Sequence, residues 1–344
     1  MKVLLCGEIS KDNNDGFTLN ALKQLNVETE AIDTRGYFKL SLLNRIFNKF
    51  RKTPHYFGTR RVNEALLKKA REFKPDFILA PKPILIWPET IKELTKFTKV
   101  FSWYPDYVLF PKTCSTYFYK TIPLLDCHFS FNYENSKELM KLGAKKSFFL
   151  PCAADLSCHY PVKVSPEEAK KIGADIIFVG TYADEERTWF VEKLCQDGYD
   201  VKVYGNSWEK CPKNYCLVKR GRVQFRGVNC CGEMSKVFNA SKIVLSFVRE
   251  HNKELLACRT YEIPACGAFM LHKRTSKTGD VFEEGKEAEF FGSYEEMKEK
   301  IDFYLKNDEL RKKIAEAGYK KVTGGGNLFV DRVQFIIDIF NSLK

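Results

Sequence analysis

Short apolar runs recur along this chain, each closed by glycine, proline or a polar turn. Between most of them lie stretches with apolar residues three and four apart. "KVLLCG" (Lys2 to Gly7) has the composition of a buried strand that stops at a glycine. The polar loop "EISKDNNDG" follows, and then a helical stretch near Thr18 to Leu25. "VETEAID" predicts a second strand, and a long helical region leads to a third at Phe77 to Ala80, entered through a Pro-Asp turn. "TKVFSWYPD", "LLDCHFSFN" (before the helix "SKELMKLG") and "AKKSFFLP" supply three more. Strands that alternate with helices predict a parallel sheet covered by helices on both faces.

The alternation pauses at "PCAADLSCHYPVKVSPEEAKKIG", Pro151 to Gly173, which is polar, holds three prolines and reads as a linker. It then restarts. "ADIIFVG", "YDVKVYG", "RVQFRG", "KIVLSFV", "AFMLH" and "EAEFF" are strands. "DEERTWFVEKLCQDG", "CGEMSKVFNAS" and "LLACRTYEIPAC" are the helices between them, and two charged helices cover "SYEEMKEKIDFYLKNDELRKKIAEAGYKKV". The expectation is an α/β protein of two doubly wound, Rossmann-like parallel-sheet domains, residues 1–160 and 161–327, with a last helix near 328–344. Two such sheets create a cleft, and ligands of such sheets bind at the carboxyl ends of the strands.

Composition narrows the class. The 44% hydrophobic and 29% charged content of the 344 residues is that of a globular chain, which argues against disorder. No run of about 18 apolar residues is present to span a membrane, and "MKVLLCGEIS" turns polar too soon for a signal peptide. A reducing, cytoplasmic setting is therefore expected. The 12 cysteines are scattered, without a Cys-x-x-Cys or other metal-ligand spacing, and read as buried free thiols. The net charge of +12 is uneven: residues 1–160 hold 25 basic against 16 acidic side chains. That points to an anionic partner for the first half, with plain solubility as the alternative.

Two stretches carry candidate chemistry. In "FVGTYADEERTWF", Gly180 allows a tight turn between a strand ending at Val179 and a helix starting near Asp184. Helix amino termini suit phosphate, yet no Walker or Gly-x-Gly-x-x-Gly pattern is present, and such junctions are commonly structural. In "RTYEIPACGAFML", Arg259 and Glu262 share a helix face, and Gly267 stands where the helix stops. A surface ion pair worth about 0.5 kcal/mol is the ordinary explanation. The sharper one places the carboxylate on ribose hydroxyls and the forked guanidinium on a diphosphate.

"FVGTY", "VYGNSW", "NASKIVLSF", "RTYEIPACGAFML", "GKEAEFFGSYEEMKEKIDFYL" and "RKKIAEAGYKKV", in that order over about Ile176 to Val322, resemble the carboxy-terminal domain of the CgeB-like glycosyltransferases. Upstream, "KPDFILAPKP", "VFSWYPD" and "FLPCAADLSCHYP" resemble the acceptor-side domain and linker of the same family. The resemblance implies a GT-B fold and a metal-independent enzyme without a cofactor, whose second domain holds a nucleotide-sugar donor. It implies that Glu262 holds the ribose, that Gly180 and Thr181 approach the diphosphate, that Arg226 and Gly227 border the base and that Arg259 neutralises the leaving diphosphate. Gly267 completes the donor helix, and Glu254, eight residues before Glu262, contacts the sugar. The absence of any Asp-x-Asp agrees with a metal-free reaction. Retention is the family implication. An inverting course needs a base on the acceptor side, for which Asp106 and Glu8 are the candidates; Asp106 is otherwise a turn residue after Pro105. His128 falls in a strand and reads as core.

Residues 34–63 hold eight basic side chains, no acidic one and interleaved aromatics. Within them "FKLSLLNRIFNKFRK", residues 38–52, is a basic amphipathic helix with Leu43, Ile46, Phe47 and Phe50 in one stripe. The stripe packs on the first domain's sheet, lies on an anionic membrane, or accompanies phosphate contacts. The functional readings are transfer of a sugar to a glycan, surface-polymer, polyanionic or lipid-linked acceptor; a DNA-modifying glycosyltransferase of phage type; or a non-catalytic nucleotide-sugar-binding protein.

Overall fold

The structure is a computed structural model that describes residues 1–224 and 231–343. The chain divides into two compact units: unit 1 is Met1–Cys152, His251–Glu254 and Phe329–Lys344, and unit 2 is Ala153–Glu250 and Leu255–Leu328.

Unit 1 runs β1 (Lys2–Gly7), α1 (Asn14–Gln24), β2 (Glu28–Asp33), α2 (Leu42–Lys49), α3 (Arg60–Phe73), β3 (Phe77–Pro81), α4 (Pro88–Leu94), β4 (Lys99–Tyr104), α5 (Thr116–Thr121), β5 (Cys127–Ser130), α6 (Tyr133–Lys141) and β6 (Ser147–Phe149). The six strands are parallel, in the order β2-β1-β3-β4-β5-β6. Leu5 sits opposite Ala31 on one side and Leu79 on the other. The inner strands are apolar because helices cover both of their faces, whereas edge strand β2 keeps "ETEAID" half exposed. α1 starts at Asn14, four residues before the pattern placed it, because the Asn13 side chain caps Gly16 N at 2.9 Å. His128 is core, as expected: Ser102 Oγ lies 2.7 Å from its Nδ1 and Ile122 O 2.9 Å from its Nε2, and burial pushes its pKa down to about 4.

Unit 2 runs α7 (Pro166–Ile172), β7 (Ile176–Val179), α8 (Glu186–Gln196), β8 (Val201–Tyr204), α9 (Cys216–Lys219), β9 (Val223–Gln224), α10 (Glu233–Asn239), β10 (Ile243–Ser246), α11 (Arg259–Ala265), β11 (Met270–Lys273), α12 (Thr278–Val281), β12 (Glu289–Phe291), α13 (Tyr294–Lys306) and α14 (Asp308–Gly324). Its sheet is also parallel, in the order β12-β11-β10-β7-β8-β9. Phe190, Leu194, Phe247, Phe291, Met297 and Ile301 pack together in its core. The last helix, α15 (Phe329–Asn341), belongs to unit 1, where Phe340 meets Phe77 at 5.0 Å between ring centroids and Phe329 meets Phe17 at 5.3 Å. The doubly wound α/β architecture read from the pattern is therefore present twice.

Two expectations need correction. The stretch 151–173 is not a bare linker. From Ala153 it is part of unit 2, and α7 is tied to β8 by Lys202 Nζ on Lys171 O and Tyr204 Oη on Ile172 O, at 2.8 and 2.7 Å. Pro166, one of the prolines that suggested a linker, is the first residue of this helix. The cysteines are not all free thiols: Cys158 and Cys231, 73 residues apart, form a disulfide. A pairing across that separation leaves no spacing signal in sequence. Cys6, Cys114, Cys127, Cys152, Cys195, Cys211 and Cys266 are buried thiols.

α11 ends at Gly267 with a left-handed φ of 69°. Gly267 N bonds Pro264 O at 2.8 Å and Ala268 N bonds Ile263 O at 3.3 Å, the paired closure that turns a helix into a following strand. A Cβ there would lie 3.2 Å from Pro161 Cγ. Gly267→Ala is expected to cost about 1–2 kcal/mol, and Gly267→Asn less, because asparagine tolerates this backbone region. Urea titration checks it; an alanine variant as stable as wild type contradicts the turn assignment.

Candidate functional site

In each sheet the first strand lies inside, with later strands added on both sides. The chain reverses its direction of winding between β1 and β3 in unit 1, and between β7 and β10 in unit 2. Helices leaving the two strands at such a point diverge to opposite faces, opening a crevice at the carboxyl edge.

In unit 2 this edge is built around Arg259. The start of α11 places its guanidinium at the end of β7, where Nε donates to Val179 O at 3.2 Å and Nη1 donates to Glu262. Glu262 is buried, at 3% exposure, while the Arg259 side chain keeps 25%. The pair is therefore not the surface bridge that spacing alone allowed. It joins the first strand of the unit to the helix that leaves the neighbouring strand, with the Arg259 side chain partly exposed. His159 lies behind it, its Nε2 3.6 Å from Glu262 Oε1. Asp155 N donates to His159 Nδ1 at 3.0 Å, which puts the ring proton on Nε2, facing the carboxylate. Burial lowers the His159 pKa, and Glu262 pulls it the other way. Beside this group, at the end of β10, Ser246 Oγ is buried without a hydrogen-bond partner among the described residues.

Gly180 and Thr181 follow directly on Val179. Gly180 N donates to Tyr204 O at 2.9 Å, and Trp208 Nε1 donates to Gly180 O at 2.9 Å, so the turn is pinned to the β8 side. α8 starts at Glu186 with Glu185 as its capping residue. Two carboxylates thus occupy the positive end of this helix, and Lys273 Nζ holds Glu186 at 2.8 Å. The cation that reaches the end of β7 is Arg259, not the helix dipole. Gly267 lies at the far end of α11, on the opposite edge of the sheet, so its role is the turn described above and not ligand contact. Arg226 and Gly227 lie outside the described residues. Glu254 falls in the short segment that belongs to unit 1, where Asn252 Nδ2 donates to it at 2.9 Å.

In unit 1 the crevice at β1 and β3 is a cavity of about 270 Å³. Asn13, Asn14, Asp15, Thr34, Lys82 and Trp103 supply its polar and aromatic wall, and Glu8, itself exposed, lines it too. Asp15 was not singled out in the sequence. Its Oδ2 accepts from Glu8 N at 2.8 Å and packs against Gly7, where a Cβ would come within the carboxylate's own radius. β1 therefore ends in glycine to admit this carboxylate. Burial raises the Asp15 pKa from 3.8 to about 7; the Glu8 backbone bond and Lys82 oppose the rise, and the charges of Glu8 and Asp33 add to it. Asp106 is placed differently from its assignment as a base: it is 6% exposed, its carboxylate holds Lys82 Nζ at 2.6 Å, and Lys82 rather than Asp106 faces the cavity. The signal for Asp15 in sequence was slight, a carboxylate in the polar loop that follows a strand-ending glycine. For Ser246 it was a lone hydroxyl at the end of the apolar "KIVLSF".

Residues 187–338, a little under half of the chain, match the model of a family described as glycosyl transferase-like. No curated protein matches the sequence. Solved structures share the whole fold at low identity. A glycosyltransferase from Rickettsia africae is 13% identical, with 99% of this chain and 98% of that one covered and a TM-score of 0.66. Sucrose-phosphate synthase of Thermosynechococcus elongatus is 11% identical, with 100% and 99% covered and a TM-score of 0.69. HepE of Anabaena, solved with UDP-glucose, is 13% identical, with 99% and 100% covered and a TM-score of 0.62. The fold is GT-B, as in these neighbours, and the stretch 187–338 is similar to a glycosyl transferase family.

An acid whose pKa is higher folded than unfolded loses its stabilising effect as pH rises through the folded value. Asp15 therefore costs the native state nothing below about pH 4 and its full penalty above about pH 7. Asp15→Asn keeps an acceptor for Glu8 N and cannot ionise. Urea midpoints are expected to show the variant gaining on wild type from about pH 4 to pH 8, by on the order of a few kcal/mol. A stability difference independent of pH contradicts the assignment.

Proposed function

We propose that this protein transfers a sugar from a nucleotide-sugar donor bound at the carboxyl edge of unit 2 to a hydroxyl of a glycan, surface-polymer or lipid-linked acceptor, in the manner of the CgeB-like group. The observation that carries the reading is the buried Glu262 joined to a partly exposed Arg259 at the end of the first strand. A carboxylate fixed in this way suits paired ribose hydroxyls, and a forked guanidinium beside it suits a diphosphate. As the sugar–phosphate bond breaks, negative charge builds on the diphosphate. A preorganised cation stabilises it there without a metal ion. Thr181 and Ser246 line the same edge and supply neutral hydroxyl donors, with Gly180 shaping the turn. HepE, solved with UDP and with UDP-glucose, makes uridine nucleotides the first donors to try.

The acceptor hydroxyl is assigned to the unit 1 cavity. Amides, hydroxyls, an indole and carboxyls of opposing charge to Lys82 suit a neutral polyhydroxylated group more than a polyanion. Retention remains the reading favoured by the resemblance. A second course, inversion, is favoured by Asp15, whose carboxyl changes protonation near neutrality and so matches a general base for the acceptor. The anomeric form of the product separates the two. In the inverting case Asp15→Asn lowers kcat by about 10²–10⁴-fold, and in the retaining case far less.

A thermal-shift panel of UDP-, GDP-, ADP- and CMP-sugars, run with EDTA present, tests the donor site. At least one donor is expected to raise the melting temperature. Arg259→Lys and Glu262→Gln should each weaken binding about tenfold or more, so that the shift shrinks at a fixed donor concentration while the unliganded fold is kept. Unchanged shifts in both variants overturn the site.

A further inference from the structure

Helix α2 is docked the wrong way round for a surface helix. Such helices bury an apolar stripe and turn charge to water. In α2 the buried residue is Asn44, at 2% exposure. Its amide is read as a backbone strand would be: Nδ2 donates to Phe57 O at 3.1 Å, and Phe57 N donates to Oδ1 at 2.8 Å. One turn on, Asn48 repeats the arrangement with His55, at 2.9 and 2.8 Å. Two asparagines four residues apart thus clamp the polar face of the helix onto the returning segment 55–57. The apolar face points outward: Leu42 is 70% exposed, Leu43 77%, Ile46 53% and Phe50 82%. Of the courses open to the stripe from sequence, packing on the sheet is not the one taken.

We propose that α2 is a membrane-docking element that seats unit 1 on an anionic bilayer surface. Four large apolar side chains on one exposed helix face exceed the scattered exposure ordinary for a soluble surface. Their setting selects the occupant. Lys39, Arg45, Lys49, Arg51 and Lys52 flank the stripe, and residues 34–63 contain no Asp or Glu. Arg51 lies over the Phe47 ring at 5.0 Å and Lys49 over Phe50 at 5.9 Å, so the cations ride at the rim of the apolar surface. Leucine and phenylalanine outermost with bases at the rim match an acyl–headgroup boundary. Nucleic-acid phosphates would be met by the bases and would leave the leucines in water. The inference stands on α2 alone and does not depend on the glycosyltransferase reading.

The test uses the full chain and vesicles, either of phosphatidylcholine alone or with about a third phosphatidylglycerol. Sedimentation is expected to show binding to the anionic vesicles and little to the neutral ones, weakening as salt rises. Leu43→Glu with Phe50→Glu should cut the partition coefficient about tenfold or more with no change in melting temperature, because these side chains are solvent-exposed. Arg45→Ser with Lys49→Ser should weaken binding to anionic vesicles several-fold. Absence of binding to anionic vesicles, or binding that survives Leu43→Glu with Phe50→Glu, overturns the proposal. So does self-association abolished by those substitutions without vesicle binding, which makes a second copy the occupant. Duplex DNA binding indifferent to the apolar substitutions, without vesicle binding, does the same.

Discussion

Each sheet of this protein has its first strand in the interior, and the chain has to wind away from that strand in both directions. That constraint decides where chemistry can occur. β1 and β7 are flanked on both sides, so their carboxyl ends face gaps that no crossover helix fills. Two carboxyl side chains, Asp15 and Glu262, stand at those gaps. Each is anchored to the strand end it neighbours: Asp15 directly through Glu8 N and the space left by Gly7, Glu262 through Arg259 on Val179 O. The strands themselves are ordinary buried parallel strands, and the unusual groups begin one residue beyond them.

The two groups answer burial differently. Glu262 is held between the Arg259 guanidinium and His159, whose pKa burial lowers, which gives its carboxyl a defined direction. For Asp15, burial outweighs the Glu8 backbone bond and the charge of Lys82 that oppose it, and raises its pKa to about 7. One arrangement suits binding and the other suits proton transfer. α2 shows the same economy at the surface: asparagine amides substitute for apolar packing and free the apolar face for another role.

Much of the fold was legible because parallel strands buried on both faces are apolar runs of fixed length, and the helices between them keep their period. What escaped was set by contacts between residues distant in sequence. The disulfide joins Cys158 to Cys231 across 73 residues, and α7 is part of unit 2 through side-chain bonds to Lys171 and Ile172 that proline-based linker reasoning does not see. Arg259 and Glu262 could be paired from sequence because they share a helix turn, although spacing alone left a surface bridge as the ordinary explanation. Asp15 was missed because its pKa comes from burial beside Glu8 and Asp33, which composition does not report, and Asp106 was overvalued because its lysine partner lies 24 residues away. The orientation of α2 was undecidable from its stripe: hydrophobic period says which residues share a face and not which way that face turns.

The central claim is that the carboxyl edge of unit 2 activates a sugar nucleotide. Release of nucleoside diphosphate from sugar nucleotides by the purified chain, with and without simple glycan acceptors and with EDTA present, tests it most directly. The account predicts release from at least one donor, accelerated by an acceptor and lost in Glu262→Gln. No release from any donor under any of these conditions, or release that Glu262→Gln leaves intact, would contradict it.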